Sequence, residues 1–261
     1  MHLTLLGSGP SGGVPLITGH WGACDPTNPK NHRRRCSLLI QHNGQNIIID
    51  TSPDIRQQLL DASISNINAV LYTHDHADHT HGIDELRPMY FAGGRTPIPI
   101  YGDNATITSL TDRFSYLFAP KDGSERPASY PVILQPNVIS TDPVEICGIR
   151  FQPFVQDHGY STTLGYRFGN VAYSTDVLTL DDKAFEVLDG IDYWFVDCLK
   201  ITPGSHTHSH LERTLSWIER VQPKQAVLIH MNHEMDYDQV MKTTPDNVIP
   251  GYDGLELQVG L

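Results

Sequence analysis

The sequence predicts an α/β (α+β) fold in which two packed β-sheets carry helices on their outer faces. Three observations lead there. The 261 residues contain two successive sets of apolar, strand-like runs, each followed by segments with helical spacing. No linker long enough to separate domains interrupts them, and no repeat or low-complexity segment occurs, so residues 1–261 are read as a single domain. Several runs end directly in His or Asp, which collects polar chemistry at strand ends.

Taken in order, His2–Gly7 is a first strand, and the Gly/Pro/Ser-rich Ser8–Pro15 is a loop. Cys36–Gln41 and Gln45–Asp50 are strands joined at Asn43-Gly44, a two-residue hairpin signal. Thr51-Ser52-Pro53 opens a short helix carrying Ile55, Leu59 and Leu60. Strands follow at 69–73 and Pro97–Gly102, then a helix over Asn104–Phe118. Residues 119–131, rich in Pro, Gly and charge, form an exposed loop. The second half repeats the theme, with strands at 144–146, 149–154, 164–168 and 171–175 and a turn at Gly169-Asn170. A helix at 181–188 precedes the strand Tyr193–Cys198. The helix His210–Val221 and the strands Ala226–His230 and Leu255–Val259 complete the chain.

Composition is that of an ordinary globular enzyme: 39% hydrophobic, 8% aromatic and 18% charged. No apolar stretch is long enough to span a bilayer, and no signal-peptide pattern opens the chain. Cys24, Cys36, Cys147 and Cys198 lie far apart without a CxxC pair, which argues against a disulfide framework and for a cytoplasmic protein. A net charge of −12 argues against a large nucleic-acid footprint. The one basic cluster is His32-Arg33-Arg34-Arg35. We favour a solvated loop face for it; the functional alternative is a phosphate-facing edge with Arg34 as the substrate contact.

The chemistry concentrates in residues 73–79, Thr-His-Asp-His-Ala-Asp-His. His74, His76, Asp78 and His79 put four metal-type ligands into six positions behind a buried strand. Imidazole and carboxylate at this density suit zinc, manganese or iron. One such loop cannot complete a two-metal site, so further ligands are needed. Asp157-His158-Gly159 follows an apolar run, Ala172–Thr175 ends in Asp176, and Ala226–Ile229 ends in His230. Each alone could be a helix cap or a satisfied histidine; three in the same context point to a shared centre.

In this order, His-x-His-x-Asp-His, a lone His, a strand-end Asp and a strand-end His, the chain resembles the metallo-β-lactamase superfamily along nearly its whole length. The resemblance implies a four-layer αββα sandwich. It implies one metal on His74, His76 and His158 and a second on Asp78, His79 and His230, with Asp176 bridging. Within the superfamily the chain is most similar to PhnP-like cyclic phosphodiesterases. The supporting segments are Leu6–Pro15, Arg33–Ser37, His208–Leu211 and Tyr252–Leu257. PqqB-like proteins tend to lack the intact motif. Transfer-RNA 3′-processing nucleases add a basic arm that this acidic chain does not display. The family's structural zinc loop is reduced here to Cys24, so a second site of His20, Cys24 and His233 is only partly matched.

The implied activity is that of a dinuclear phosphodiesterase. Two cations, manganese or zinc, about 3.5–4 Å apart would generate hydroxide from a shared water near neutral pH. In-line attack on a small cyclic or diester phosphate of ribose or nucleotide type would ensue, with Asp78 and His208 as catalytic residues. His208, as general acid and phosphate contact, is favoured over His206 and His210 by the family pattern. Asp50 is expected to hydrogen-bond a ligating histidine, and His81 to lie beside the ligands or start a helix. The resemblance also implies a homodimer. The alternatives are a transfer-RNA 3′ endonuclease, a metallo-hydrolase of a lactam or thioester, and a non-catalytic metal or nucleotide sensor.

Overall fold

Alternating side chains along the first strands set the layering. In the computed structural model, which describes residues 1–127 and 130–260, Leu38, Ile40, Ile47, Ile49 and Leu71 face one core. Their neighbours Leu39, Ile48 and Val70 face another. Strands covered on both sides must be apolar at nearly every position, which is why they read as continuous runs.

The first sheet contains β1 (His2–Gly7), β2 (Ser37–His42), β3 (Gln45–Ile49), β4 (Ala69–Leu71), β5 (Ile98–Gly102) and β6 (Leu134–Val138). The second contains β7 (Val144–Ile146), β8 (Ile149–Asp157), β9 (Thr162–Phe168), β10 (Val171–Ser174), β11 (Tyr193–Asp197), β12 (Gln225–Ile229) and β13 (Val248–Pro250). The last strand, β14 (Leu255–Gln258), returns to the first sheet beside β1. The orders are β14-β1-β2-β3-β4-β5-β6 and β13-β12-β11-β10-β9-β8-β7.

Between the sheets lie Leu3, Leu5, Ile40, Phe151, Phe168 and Phe195, all essentially inaccessible. Outside the first sheet pack α1 (Ile55–Asp61), α3 (Leu86–Ala92) and α4 (Asn104–Arg113), through Leu59, Leu86 and Leu110. A single turn, α2 (Ala77–Thr80), carries part of the His-rich string. Outside the second sheet pack α5 (Asp182–Leu188), α6 (Leu211–Val221) and α7 (Tyr237–Thr243), through Leu188, Ile218 and Val240 around Trp194. Helix, sheet, sheet, helix is the predicted αββα sandwich.

Pairing then decides where chemistry collects. β3 runs parallel to β4, β10 to β11 and β11 to β12, while β8 and β10 both run antiparallel to β9. The C-terminal ends of β3 and β4 in one sheet, and of β8, β10, β11 and β12 in the other, therefore gather the residues that come after them.

The structure departs from the sequence reading in identifiable places. β6 and β13 were not expected: each contains a proline (Pro136, Pro250) and occupies a sheet edge, where a missing N–H is tolerated. Pro88 hides α3, but it stands in the first helical turn, where it costs little. α7 is a further unpredicted helix, begun by Asp236, whose side chain accepts the Gln239 N–H. The predicted helix 104–118 stops at Arg113, and a 3-10 turn at Ser115–Leu117 comes next. The strand expected over 69–73 ends at Leu71. Within the expected loop 119–131, residues 128 and 129 lie outside the described residues; the others form neither helix nor strand. All four cysteines are free. Among the described residues no helix is long and apolar enough to cross a membrane.

Candidate metal centre

Three of the residues that end strands leave them by a sharp turn. Asp50, just past β3, has φ 64°, Asp176, past β10, has φ 53°, and His230, past β12, has φ 59°. The left-handed region costs an L-residue about 1–2 kcal/mol, and such strain clusters where a site demands it. Here it turns three polar side chains away from the apolar cores.

The ligand atoms of His74, His76, His158 and Asp176 lie within 4.8 Å of one another, as do those of Asp78, His79, Asp176 and His230. Asp176 stands between the sets. Its Oδ2 is 3.7 Å from both His74 Nε2 and His158 Nε2. Its Oδ1 is 3.0 Å from His79 Nε2 and 3.3 Å from His230 Nε2. Asp78 Oδ2 closes the second set, 3.3 Å from His79 Nε2 and 3.5 Å from His230 Nε2.

For His74, His79 and His158 the other ring nitrogen explains why Nε2 points inward. His158 Nδ1 donates to the Thr207 carbonyl at 2.7 Å, and His79 Nδ1 to Asp50 Oδ2 at 2.7 Å. Thr73 Oγ1 donates to Asp50 Oδ2 at 2.8 Å, so it accepts from His74 Nδ1 at 3.0 Å. With each Nδ1 occupied as donor, the Nε2 lone pair is the one left for a cation. Asp50, fully buried, thereby orients two histidines at once. The sequence anticipated one such bond.

Charge distribution reflects this crowding. Burial alone would raise the Asp176 carboxyl, but His230, His79 and His208 hold it well below the usual range. Burial also opposes the charged form of Asp78, yet His79 and His230 pull that carboxyl down. His79, despite burial, is pushed up by Asp176, Asp78 and Asp50. His74 is pushed well down by burial and by His79, and His158 is lowered chiefly by burial.

The residues fit bound divalent metal. Nε2 of His74, Nε2 of His79 and both ring nitrogens of His230 are buried without a hydrogen-bond partner. His79 Nε2 lies within 3.0 Å of a carboxylate oxygen yet lacks the alignment of a hydrogen bond. Ligands aimed at a common point produce that geometry, and orphaned buried polar atoms are otherwise costly.

His208 stands at the rim. Its Nδ1 donates to Asp197 Oδ2 at 2.8 Å, and its Nε2 lies 3.9 Å from Asp176 Oδ2. Burial works against the charge, but Asp197 and Asp176 push the imidazole up to about 9. Asp197, which orients His208, was not singled out from the sequence, although β11 ends in it as β8 ends in Asp157. His210 precedes α6 at its N-cap, and His81 follows α2, where it meets Arg113 rather than a ligating histidine.

Other sequence candidates go elsewhere. The solvated face expected for the basic cluster fails at Arg33, which is 2% exposed and donates to the Asn232 and Met235 carbonyls. Arg34 is turned from the centre, with Nη2 2.5 Å from Asp61 and Nε 3.8 Å from Asp253. His20 and His233 meet edge-on, ring centroids 5.2 Å apart, while the Cys24 thiol is held by Arg33. Among the described residues these three form no ligand group within 4.8 Å.

Residues 45–231 match the family described as Beta-lactamase superfamily domain. A solved diphosphatase of the PhnP family is 33% identical, with a TM-score of 0.89 over 98% of this chain and 96% of its own. An octanoyltransferase of Porphyromonas gingivalis is 32% identical over 98% of this chain and 51% of its own length, so the chain spans about half of that relative. Human tRNase Z, short form, at 15% identity and a TM-score of 0.66 over all of both chains, shares the fold alone. The chain belongs to the metallo-β-lactamase superfamily. Within it, the chain falls in the PhnP-like branch.

Proposed function

We propose that this chain is a metal-dependent phosphoric diester hydrolase, one domain over residues 1–261, that cleaves a small cyclic or diester phosphate of ribose or nucleotide type. One observation carries the reading: the two oxygens of Asp176 face two different sets of ligands. A carboxylate shared in this way suits two divalent cations, manganese or zinc, held side by side. His74, His76 and His158 would hold one, and Asp78, His79 and His230 the other. When bound, the pair would supply Lewis acidity toward phosphate oxygens and lower the pKa of a water.

The remaining steps belong to side chains. Asp78, whose side chain is 12% exposed, would accept a hydrogen bond from the attacking water and orient it. His208, oriented by Asp197 through Nδ1, would contact the phosphate and pass a proton from Nε2 to the leaving oxygen. The likeness to a PhnP-family diphosphatase supports chemistry at phosphorus. The net charge of −12 and the internal engagement of Arg33 and Arg34 do not favour a long RNA substrate.

The test pairs elemental analysis with a substrate panel: a 2′,3′-cyclic nucleotide, bis-p-nitrophenyl phosphate, a precursor transfer RNA and a thioester. We expect about two metals per chain and chelator-sensitive turnover of the phosphodiesters. A full rate after exhaustive metal removal, or turnover confined to RNA or thioester, would overturn the reading.

A further inference from the structure

Five ligand-type side chains stand in residues 74–79, yet Asp75 joins neither ligand set. Its contacts lie on the opposite side, against α4. Ser109 Oγ donates to Asp75 Oδ2 at 2.6 Å, and Arg113 Nη1 donates to the Asp75 carbonyl at 2.6 Å and lies 3.6 Å from Oδ2. The same guanidinium reaches the far end of the string, where Nη2 donates to Thr80 Oγ1 at 3.3 Å and to His81 Nε2 at 2.8 Å. The Arg113 guanidinium also stands 5.3 Å from the centre of the Phe114 ring.

We infer that Arg113 is a positioning residue for the metal centre, its guanidinium clasping both ends of the His-x-His-x-Asp-His string so that four ligand atoms keep their spacing. The string needs such help. α2 is only four residues long, far too short to hold itself as a helix. From within, Asp50 braces Thr73 and His79. Thr80 Oγ1 donates to the His76 carbonyl at 2.8 Å and to the Asp75 carbonyl at 3.4 Å, and from α4 Ser109 and Arg113 hold Asp75 and His81. A planar, pre-organised fork presents donors to acceptors at both ends of the string in one fixed geometry. The Asp75 carboxylate itself is engaged on the α4 side, by Ser109 and Arg113.

This inference rests on the metal-dependent reading above, and the experiment separates the two. Zinc dissociation constants of the full chain and of Arg113→Met, Arg113→Lys and Ser109→Ala are measured by competition with a chromophoric chelator. The visible spectrum of each cobalt-loaded protein and its melting temperature are recorded alongside. We expect Arg113→Met to bind zinc about 10–100-fold more weakly, with shifted cobalt bands. Arg113→Lys should recover some of the affinity. If Arg113→Met does not fold, Ser109→Ala carries the comparison, with binding weakened several-fold. Zinc affinity within twofold of wild type and unchanged cobalt bands would overturn the clasp. A wild-type chain that binds neither metal would instead overturn the reading beneath it, and the clasp with it.

Discussion

His208 Nδ1 donates to Asp197 Oδ2 at 2.8 Å, and the same carboxylate oxygen accepts the Val177 N–H at 3.0 Å, one residue beyond Asp176. One buried carboxylate at the end of β11 thus ties the rim histidine to the backbone that carries Asp176. The orientation of His208 and the placement of Asp176 are therefore not independent.

Asp197→Asn should reduce kcat about 100-fold or more, within the range that general acid catalysis supplies. His208→Ala should do the same while metal content stays near wild type. Rates against substrates with good and poor leaving groups check this: the loss should shrink for p-nitrophenolate, which needs no proton. Loss of bound metal in His208→Ala would remove the role assigned to it.

Asp176→Ala should lose more metal than His76→Ala, because Asp176 faces both ligand sets and His76 only one. Elemental analysis of the two purified variants gives the comparison, and equal stoichiometries would contradict the shared carboxylate.

Asp50→Asn alters the acceptor of three hydrogen bonds, from Thr73 N, Thr73 Oγ1 and His79 Nδ1. The expected cost is about 10–100-fold in metal affinity, as for other residues that orient ligands. Because Asp50 is fully buried, the melting temperature should fall as well; an unchanged affinity would mean that His79 finds its orientation elsewhere.

Asp253 provides a pH signature outside the candidate ligand sets. Burial pushes its carboxyl up to about 6, against the lowering effect of the Arg34 and Ser8 donors. Its unfolded value is about 3.9. A folded pKa above the unfolded one means that the native state binds the proton more tightly. This group's stabilisation is therefore complete below about pH 3.9 and fades as pH rises through about 6. Denaturant midpoints of wild type and Asp253→Asn, compared at pH 4 and pH 7, should show a pH-dependent difference from this group, and carbon NMR should find its titration near 6.

Much of the architecture was legible because the signals are local. Continuous apolar runs marked β2, β3, β11 and β12; Asn43-Gly44 marked the hairpin between β2 and β3. The strands that escaped, β6 and β13, are proline-bearing edges, where pairing with one neighbour overrides a poor local pattern. The seven candidate ligands were visible for the same reason. Histidine and aspartate at strand ends advertise themselves by chemistry and position.

By itself the sequence determined the two-sheet plan and the set of side chains able to gather around cations, since periodicity and ligand type are properties of short segments. Only the tertiary structure decided what each polar group faces. Parallel pairing of β10, β11 and β12 set Asp197 beside His208, and packing of α4 drew Asp75 out toward Arg113. Burial took Arg33 inward and left Arg34 with Asp61. The first two of these pairs are 11 and 38 residues apart in sequence. A hydrogen bond across such a separation depends on which strand ends and helix faces the fold brings together, and no local pattern encodes that.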